Sequence, residues 1–315
     1  MASVEDEWRF RLTLIRHGET DQNRNKIIQG QDNTILNETG SEQVELVATR
    51  LKYEHLTRIY SSDLERALKT AEGICLKNVH LKDLKICMEK TLRERNYGEA
   101  EGKSRQELKK MLGANKLPRG AETEAQVQKR AVDFFAGLLK DVKHLRKTLT
   151  QQSNVDCSKS DDLSLENSQH SMGESSVNEL RTGSDPSSEK SHQFPQDNNE
   201  STEGIKPRTT SLPTSHRSKQ LHSPVLLKDL CCNDSAECDH TDKPIHIVVV
   251  SHGGILRHFM SYFSKNFSSQ FPVDKKKLLR QICPNTGVSE FVILLEGDKV
   301  TNIECLQLYN KSHLT

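Results

Sequence analysis

Apolar residues recur along this chain at two alternating spacings. Arg11-Leu12-Thr13-Leu14-Ile15 is a short apolar run of strand type. Between Glu38 and Leu51 the spacing changes. Val44, Val47, Ala48 and Leu51 fall at i, i+3, i+4 and i+7 and predict a helix, with Thr39 and Glu42 as a capping box. Ile59-Tyr60 reads as a second short strand. Leu64, Ala67, Leu68 and Ala71 give a second helix, capped by Ser62 and Glu65, and Lys85 to Met88 a third strand. A long amphipathic helix over Glu122 to Leu145 carries Val127, Ala131, Phe134, Leu138 and Val142 on one face. Ile245 to Val250 is a strand of the fully buried type, and a helix follows from Gly254 to about Phe263. Val288 to Leu295 and Val300 to Leu308 close the chain as a pair of strands joined by a turn at Glu296-Gly297-Asp298. Strands alternating with helices predict a three-layer α/β domain.

The alternation stops between the long helix and Ile245. Gln151 to His240 holds 18 serines and one aromatic, Phe194, in 90 residues. Such a stretch cannot bury enough apolar surface to offset its chain entropy. The expected organisation is therefore one domain made of 1–146 and 243–315, interrupted by a disordered insert at 147–242. The low overall hydrophobic content, 33%, agrees with this. With 45 Lys+Arg against 44 Asp+Glu, the charge is nearly balanced, which gives no basis for nucleic-acid binding. No apolar run approaches the ~20 residues that span a bilayer. The acidic start, Met1 to Phe10, does not read as a secretory signal, so the eight scattered cysteines are expected as reduced thiols in the cytosol.

One pattern occurs twice. An apolar strand ends in Arg16-His17-Gly18, and another ends in Ser251-His252-Gly253. Ligands of open α/β sheets sit beyond the carboxyl ends of the strands, so two such histidines can face one pocket. Each is otherwise an ordinary loop histidine. Histidine serves as base, metal ligand or nucleophile. Arg16 beside His17 disfavours a metal and favours an anion, because guanidinium matches phosphate oxygens in bidentate fashion. Arg66 lies about 200° from the apolar face of its helix at ~100° per residue, free to meet an anion or to be a solvated surface residue.

These residues carry a resemblance. Leu14-Ile15-Arg16-His17-Gly18-Glu19-Thr20 with Asn23 resembles the signature of the histidine phosphatase superfamily. The likeness continues through Ile28-Gln29-Gly30-Gln31, Ser61-Ser62-Asp63-Leu64-Glu65-Arg66-Ala67, Leu92-Arg93-Glu94-Arg95-Asn96-Tyr97-Gly98, Val250-Ser251-His252-Gly253 and Pro284-Asn285-Thr286-Gly287. It covers both flanks and not the insert. The resemblance implies a phosphoglycerate mutase-like fold with a mixed, mostly parallel sheet flanked by helices. It implies His17 as the nucleophile that becomes phosphorylated and Glu94 as proton donor to the leaving oxygen. It places Arg16, Arg66 and His252 around the transferring phosphoryl group, with Asn23, Gly30 and Asn285 as substrate contacts. Residues alone do not choose Glu94 over Glu89, Glu99 or Glu101. Within the superfamily the motifs are most similar to fructose-2,6-bisphosphatases, which implies cleavage at the 2-phosphate and a lowering of glycolytic flux. The alternatives are a broader small-molecule phosphatase or a weakly active phosphate-binding regulator. A second substrate phosphate would need its own cations, and Lys103 and Arg119 are candidates because they flank the motifs.

Two departures from the family pattern stand out. Ala121 replaces the second of two glycines before Glu122-Thr123, and a positive φ there would strain it. The segment Lys103 to Pro118 lacks the paired arginines of phosphoglycerate mutases, which disfavours mutase activity. Other signals are weaker. Gly98 to Ser104 has three residues between its glycines where a phosphate-binding loop has four. Cys231, Cys232, Cys238 and His240 make a poor zinc pattern. Arg208 to Ser211 could serve as a kinase site in the insert, and Lys275 to Lys277 is a solvated charge run. No metal and no cofactor are expected. The expected partner is a small phosphorylated sugar, in a cytoplasmic protein that can associate with mitochondria or the nucleus.

Overall fold

The structure, a computed structural model, describes residues 7–81, 85–113, 117–165, 244–267, 278–279 and 281–315. Of the chain's two units, Met1–Lys159 with His240–Thr315 contains the sheet described here. The second, Ser160–Asp239, lies almost entirely outside the described residues, and with it most of the expected insert, the candidate zinc cluster and the candidate kinase site. The Lys275 to Lys277 run lies outside them as well.

Six strands form one mixed sheet: β1 (Glu7–Arg16), β2 (Arg58–Ser61), β3 (Cys87–Met88), β4 (His246–Ser251), β5 (Val288–Glu296) and β6 (Lys299–Asn310). Their order is β3-β2-β4-β1-β5-β6. β3, β2, β4 and β1 run parallel, while β5 and β6 add an antiparallel edge. All six residues of β4 are buried, as its unbroken apolar run requires at the centre of a sheet covered on both sides. Alternate side chains feed two cores. Phe10, Leu12, Leu14, Ile247 and Val249 pack with helices α5 (Glu124–Leu165) and α6 (Gly253–Asn266). Ile15, Ile59, Val248 and Val250 pack with α2 (Glu38–Arg50) and α3 (Glu65–Lys77). The three layers follow from that alternation. Two short helices, α1 (Asp21–Arg24) and α4 (Arg105–Gly113), lie in the connections.

Three local expectations are corrected. The cap of α2 is Asn37, whose side chain accepts from Gly40 N, and not the Thr39/Glu42 box. Helix α3 starts after Leu64 with no side-chain cap, and Ser62 Oγ instead accepts from Leu64 N at 3.3 Å in the turn before it. Helix α5 runs to Leu165, well past Leu145. From Leu138 to Met172 there is neither glycine nor proline, so nothing in the sequence stops the helix where the apolar face fades. The expected strain at Ala121 is also absent: Gly120 takes the positive φ, +78°, and Ala121 is not among the positive-φ residues.

Phe263 is fully buried and contacts Phe135 and Phe291 at ring-centroid distances of 5.0 and 5.3 Å. Phe263→Ala is expected to cost about 3–5 kcal/mol in urea denaturation. His246 opens β4 with its Nε2 2.8 Å from Thr13 Oγ1. Burial, reinforced by the Arg11 guanidinium, lowers it from 6.5 to about 3. As the pH falls below 6.5 the unfolded chain takes up this proton first, so the residue's contribution to stability is present above 6.5 and is lost as the pH falls toward about 3. His246→Gln should therefore make the fall in stability on acidification shallower by about 1.4 kcal/mol per pH unit, read by denaturation at stepped pH.

Candidate functional site

The parallel pairing brings four connections to one edge of the sheet. Arg16 stands opposite Ser251 in the β1–β4 ladder, and Ser61 opposite Val250 in β2–β4. The ladders continue one residue further, with His17 N donating to Ser251 O at 2.9 Å and Ser62 N to Val250 O at 3.0 Å. His17 and His252 therefore leave adjacent strands side by side, their ring centroids 5.1 Å apart. Arg66 follows β2 in the first turn of α3, and Glu94 follows β3. Arg16, His17, Asn23, Gly30, Arg66 and Glu94 line one cavity of about 270 Å³.

His17 is 2% exposed, and its Nδ1 lies 2.7 Å from the Gly18 carbonyl. A carbonyl only accepts, so Nδ1 carries the proton of this bond and Nε2 keeps its lone pair. Burial, then Arg66 and Arg16, hold the ring well below its ordinary 6.5, so it is neutral at neutral pH. His252 is fully buried, and neither ring nitrogen has a hydrogen-bond partner among the described residues. It too is held well below its usual range, by burial first and then by Arg66 and His17. A buried imidazole with both nitrogens unpaired is costly unless a ligand completes it.

The guanidiniums are fixed from behind. Arg66 donates to Asp32 O at 2.7 Å, Thr34 Oγ1 at 3.2 Å and Gly30 O at 2.8 Å. It is 1% exposed, so the turn at 30–34 covers the face that helical geometry alone leaves open to solvent. Burial lowers it to about 10, with Glu94 opposing and Arg16 adding to the shift, and it remains a cation at neutral pH. Arg16 donates to Cys283 O at 2.8 Å. The Nε of each arginine is buried without a partner among the described residues. Two desolvated guanidiniums and two neutral imidazoles on one wall are suited to a tetrahedral anion.

Glu94 is the carboxylate of this wall. Its Oε1 accepts from Arg95 N at 2.7 Å and its Oε2 from Gly254 N at 2.9 Å, in the first turn of α6. A Cβ on Gly254 would overlap Glu94 Oε1, so only glycine permits this approach. Its connection is clamped by Arg130 of α5, which donates to Thr91 O at 2.7 Å, Arg93 O at 3.0 Å and Glu94 O at 3.3 Å. Glu122 pairs with the same guanidinium at 2.7 and 2.8 Å. Nothing in the residue pattern singles out Arg130; only the fold brings α5 to this turn.

Neighbouring groups of nucleophilic type are otherwise engaged. Ser251 Oγ donates to Leu92 O at 2.7 Å and Ser61 Oγ to Ser62 O at 2.9 Å. Burial pushes the Cys283 thiol up to about 12, so it stays protonated. Asn23 faces the cavity with its Oδ1 engaged by Thr20 N at 3.3 Å and Asn285 Nδ2 at 3.1 Å. Asn285 also donates to His17 O at 3.0 Å, so it braces the backbone of His17 from behind the cavity wall. Lys103 and Arg119 do not line the cavity. Two residues not singled out from the sequence do, Arg105 and Arg257. Among the described residues, no group of three or more His, Cys, Asp or Glu is placed to hold a metal ion, and no helix is long and apolar enough to cross a membrane.

Comparison with known proteins agrees with this geometry. The sequence model of the histidine phosphatase superfamily (branch 1) matches residues 12–147. The fructose-2,6-bisphosphatase TIGAR of Mus musculus is 32% identical over 97% of this chain and 96% of its own length. That of Xenopus tropicalis is 30% identical over 98% and 95%. Among solved structures, a mycobacterial glucosyl-3-phosphoglycerate phosphatase superposes with a TM-score of 0.54 at 18% identity, over 96% of this chain and 100% of that one, which is a likeness of fold. The chain belongs to the histidine phosphatase superfamily.

Proposed function

We propose that this protein is a phosphatase that removes the 2-phosphate of fructose 2,6-bisphosphate through a phosphohistidine on His17. The observation that carries the reading is the pairing of His17, proton on Nδ1 and lone pair on Nε2, with the partnerless His252, 5.1 Å away between ring centroids, beside the Arg16 and Arg66 guanidiniums that line the cavity with His17. The near full-length likeness to fructose-2,6-bisphosphatases supports the choice of substrate.

In this reading Nε2 of His17 attacks phosphorus while the bond to the sugar oxygen breaks. Arg16, Arg66 and His252 meet the charge spread over the equatorial oxygens, the main term in phosphoryl transfer. A sugar alkoxide leaves poorly, and Glu94 gives it a proton. Water then attacks the phosphohistidine, with Glu94 now taking the proton, and phosphate departs. Every group in the sequence lies in the described α/β unit, and 147–242 is read as an insert outside the chemistry. The sugar phosphate is the expected small partner, in a cytoplasmic setting.

Rapid quenching with labelled substrate should trap a phosphoramidate that is labile to acid and stable to base, and His17→Ala should abolish both label and turnover. An acid-stable label, or one that survives in His17→Ala, would overturn the assignment. Glu94→Gln should slow cleavage of fructose 2,6-bisphosphate far more than that of a nitrophenyl ester, whose leaving group needs no proton. Equal slowing of the two would remove Glu94 from the role of acid.

A further inference from the structure

Two connections carry groups that act on the substrate. The turn at 30–34 holds Arg66 through the carbonyls of Gly30 and Asp32. The connection after β3 carries Glu94 and, three residues on, Tyr97 of the cavity lining. Neither turn is part of the sheet, so strand register does not set the distance between them.

One half-buried carboxylate reaches both turns. Glu101 Oε1 accepts from Gln31 N at 2.9 Å and from Tyr97 N at 2.9 Å. Bonds of this kind, from N–H to an ionised carboxylate, are among the stronger ones. Gln31 sits between the two residues whose carbonyls hold Arg66, and its own Nε2 donates to Glu94 O at 3.1 Å. The carboxylate lies so close to this turn that a Cβ on Gly30 would fall 1.9 Å from Oε1. Gly30 also takes a φ of +52°, which favours glycine. The segment that carries Glu101 is anchored by its main chain, with Gly102 N donating to Ile28 O and Ile28 N to Lys103 O, each at 2.8 Å. Glu101 itself does not line the cavity.

We propose that Glu101 is a positioning residue for the phosphoryl transfer, joining the turn that holds Arg66 to the turn that carries Glu94. The cation that meets the phosphoryl oxygens and the acid that meets the leaving oxygen thereby keep one fixed separation. The proposal rests on the phosphatase reading above and extends it to a residue outside the cavity. Without this carboxylate two amide N–H groups lose their acceptor, and the two turns lose a shared anchor. A misplacement of about 1 Å at a reacting group costs about a hundredfold in rate. Glutamine is the discriminating replacement. Its amide oxygen can accept both N–H bonds, and its NH₂ can donate to the Asp32 carboxylate, which lies against Glu101.

The test compares kcat for fructose 2,6-bisphosphate with kcat for 4-nitrophenyl phosphate. Glu101→Ala should lower the first about ten- to hundredfold and the second less, because the nitrophenyl ester draws on Arg66 and not on Glu94. Glu101→Gln should recover most of both losses. A purely structural loss removes active sites and lowers both substrates by the same factor. An unchanged ratio between them would therefore overturn the proposal, as would a glutamine variant no better than alanine. A second measurement is independent of turnover. In the His17→Ala background, calorimetry with inorganic phosphate should show Glu101→Ala weakening binding about tenfold through the misplaced Arg66, and Glu101→Gln restoring it. If it does so while the wild type fails to cleave fructose 2,6-bisphosphate, the positioning role stands and the proposed reaction falls. If Glu101→Ala leaves phosphate affinity and both rates unchanged in an enzyme that forms the phosphohistidine, the reaction stands and the positioning role falls.

Discussion

The site depends first on strand register. β1, β4 and β2 run parallel and stop level with one another, so the residues immediately beyond them are forced into one place. A one-residue shift of β4 against β1 would move His252 by about 3.3 Å and turn its side chain to the opposite face, breaking its pairing with His17. Alternation of polar and apolar residues cannot fix this register, because β4 is buried on both faces. Side chains at the two ends of the strand do so. His246 meets Thr13 across the ladder at one end, and Ser251 bonds the Leu92 carbonyl at the other. The second of these bonds also ties the strand end to the turn that brings in Glu94.

A second constraint is the concentration of charge at a buried edge. Arg66 and Arg16 lie beside each other and beside two imidazoles, an arrangement that opposes protonation of every member. The imidazoles yield and stay neutral; the guanidiniums remain cations and are held by main-chain carbonyls instead of carboxylates. The choice of partner matters chemically. A carboxylate would satisfy the arginine and compete with phosphate, whereas a carbonyl fixes the guanidinium and leaves its charge uncancelled. The carbonyls that hold this charge come from the turns at 30–34 and 282–287.

Much of this was legible in the sequence. The repeated His-Gly after apolar strands located the edge, since strand ends, loops and glycine are local features. Five residues come from motif resemblance; the fold brings Arg16, His17, Arg66 and Glu94 to one cavity and stacks His252 beside His17. What the sequence hid was tertiary. Arg66 reads as exposed on its helix and is covered by a turn from elsewhere in the chain. Arg130 is one of many charges on α5 until the fold places it under Glu94. Lys103 and Arg119 lie near the motifs along the chain and outside the cavity lining, while Arg105 and Arg257 reach it from α4 and α6. The caps failed for a related reason: Asn37 competes with Thr39 for the same start, and only the turn geometry decides between them.

The four arginines of the cavity lining are held in two ways. Arg16 and Arg66 are held by main-chain carbonyls, Arg66 fully buried and Arg16 half-buried. Arg105 is exposed and has no ion-pair partner among the described residues, and Arg257 shares the Glu124 carboxylate with Arg95 and His258. The cavity therefore joins one pair of guanidiniums fixed by the main chain to another that the main chain does not fix. Changes to the second pair leave untouched the strand register on which the first pair rests.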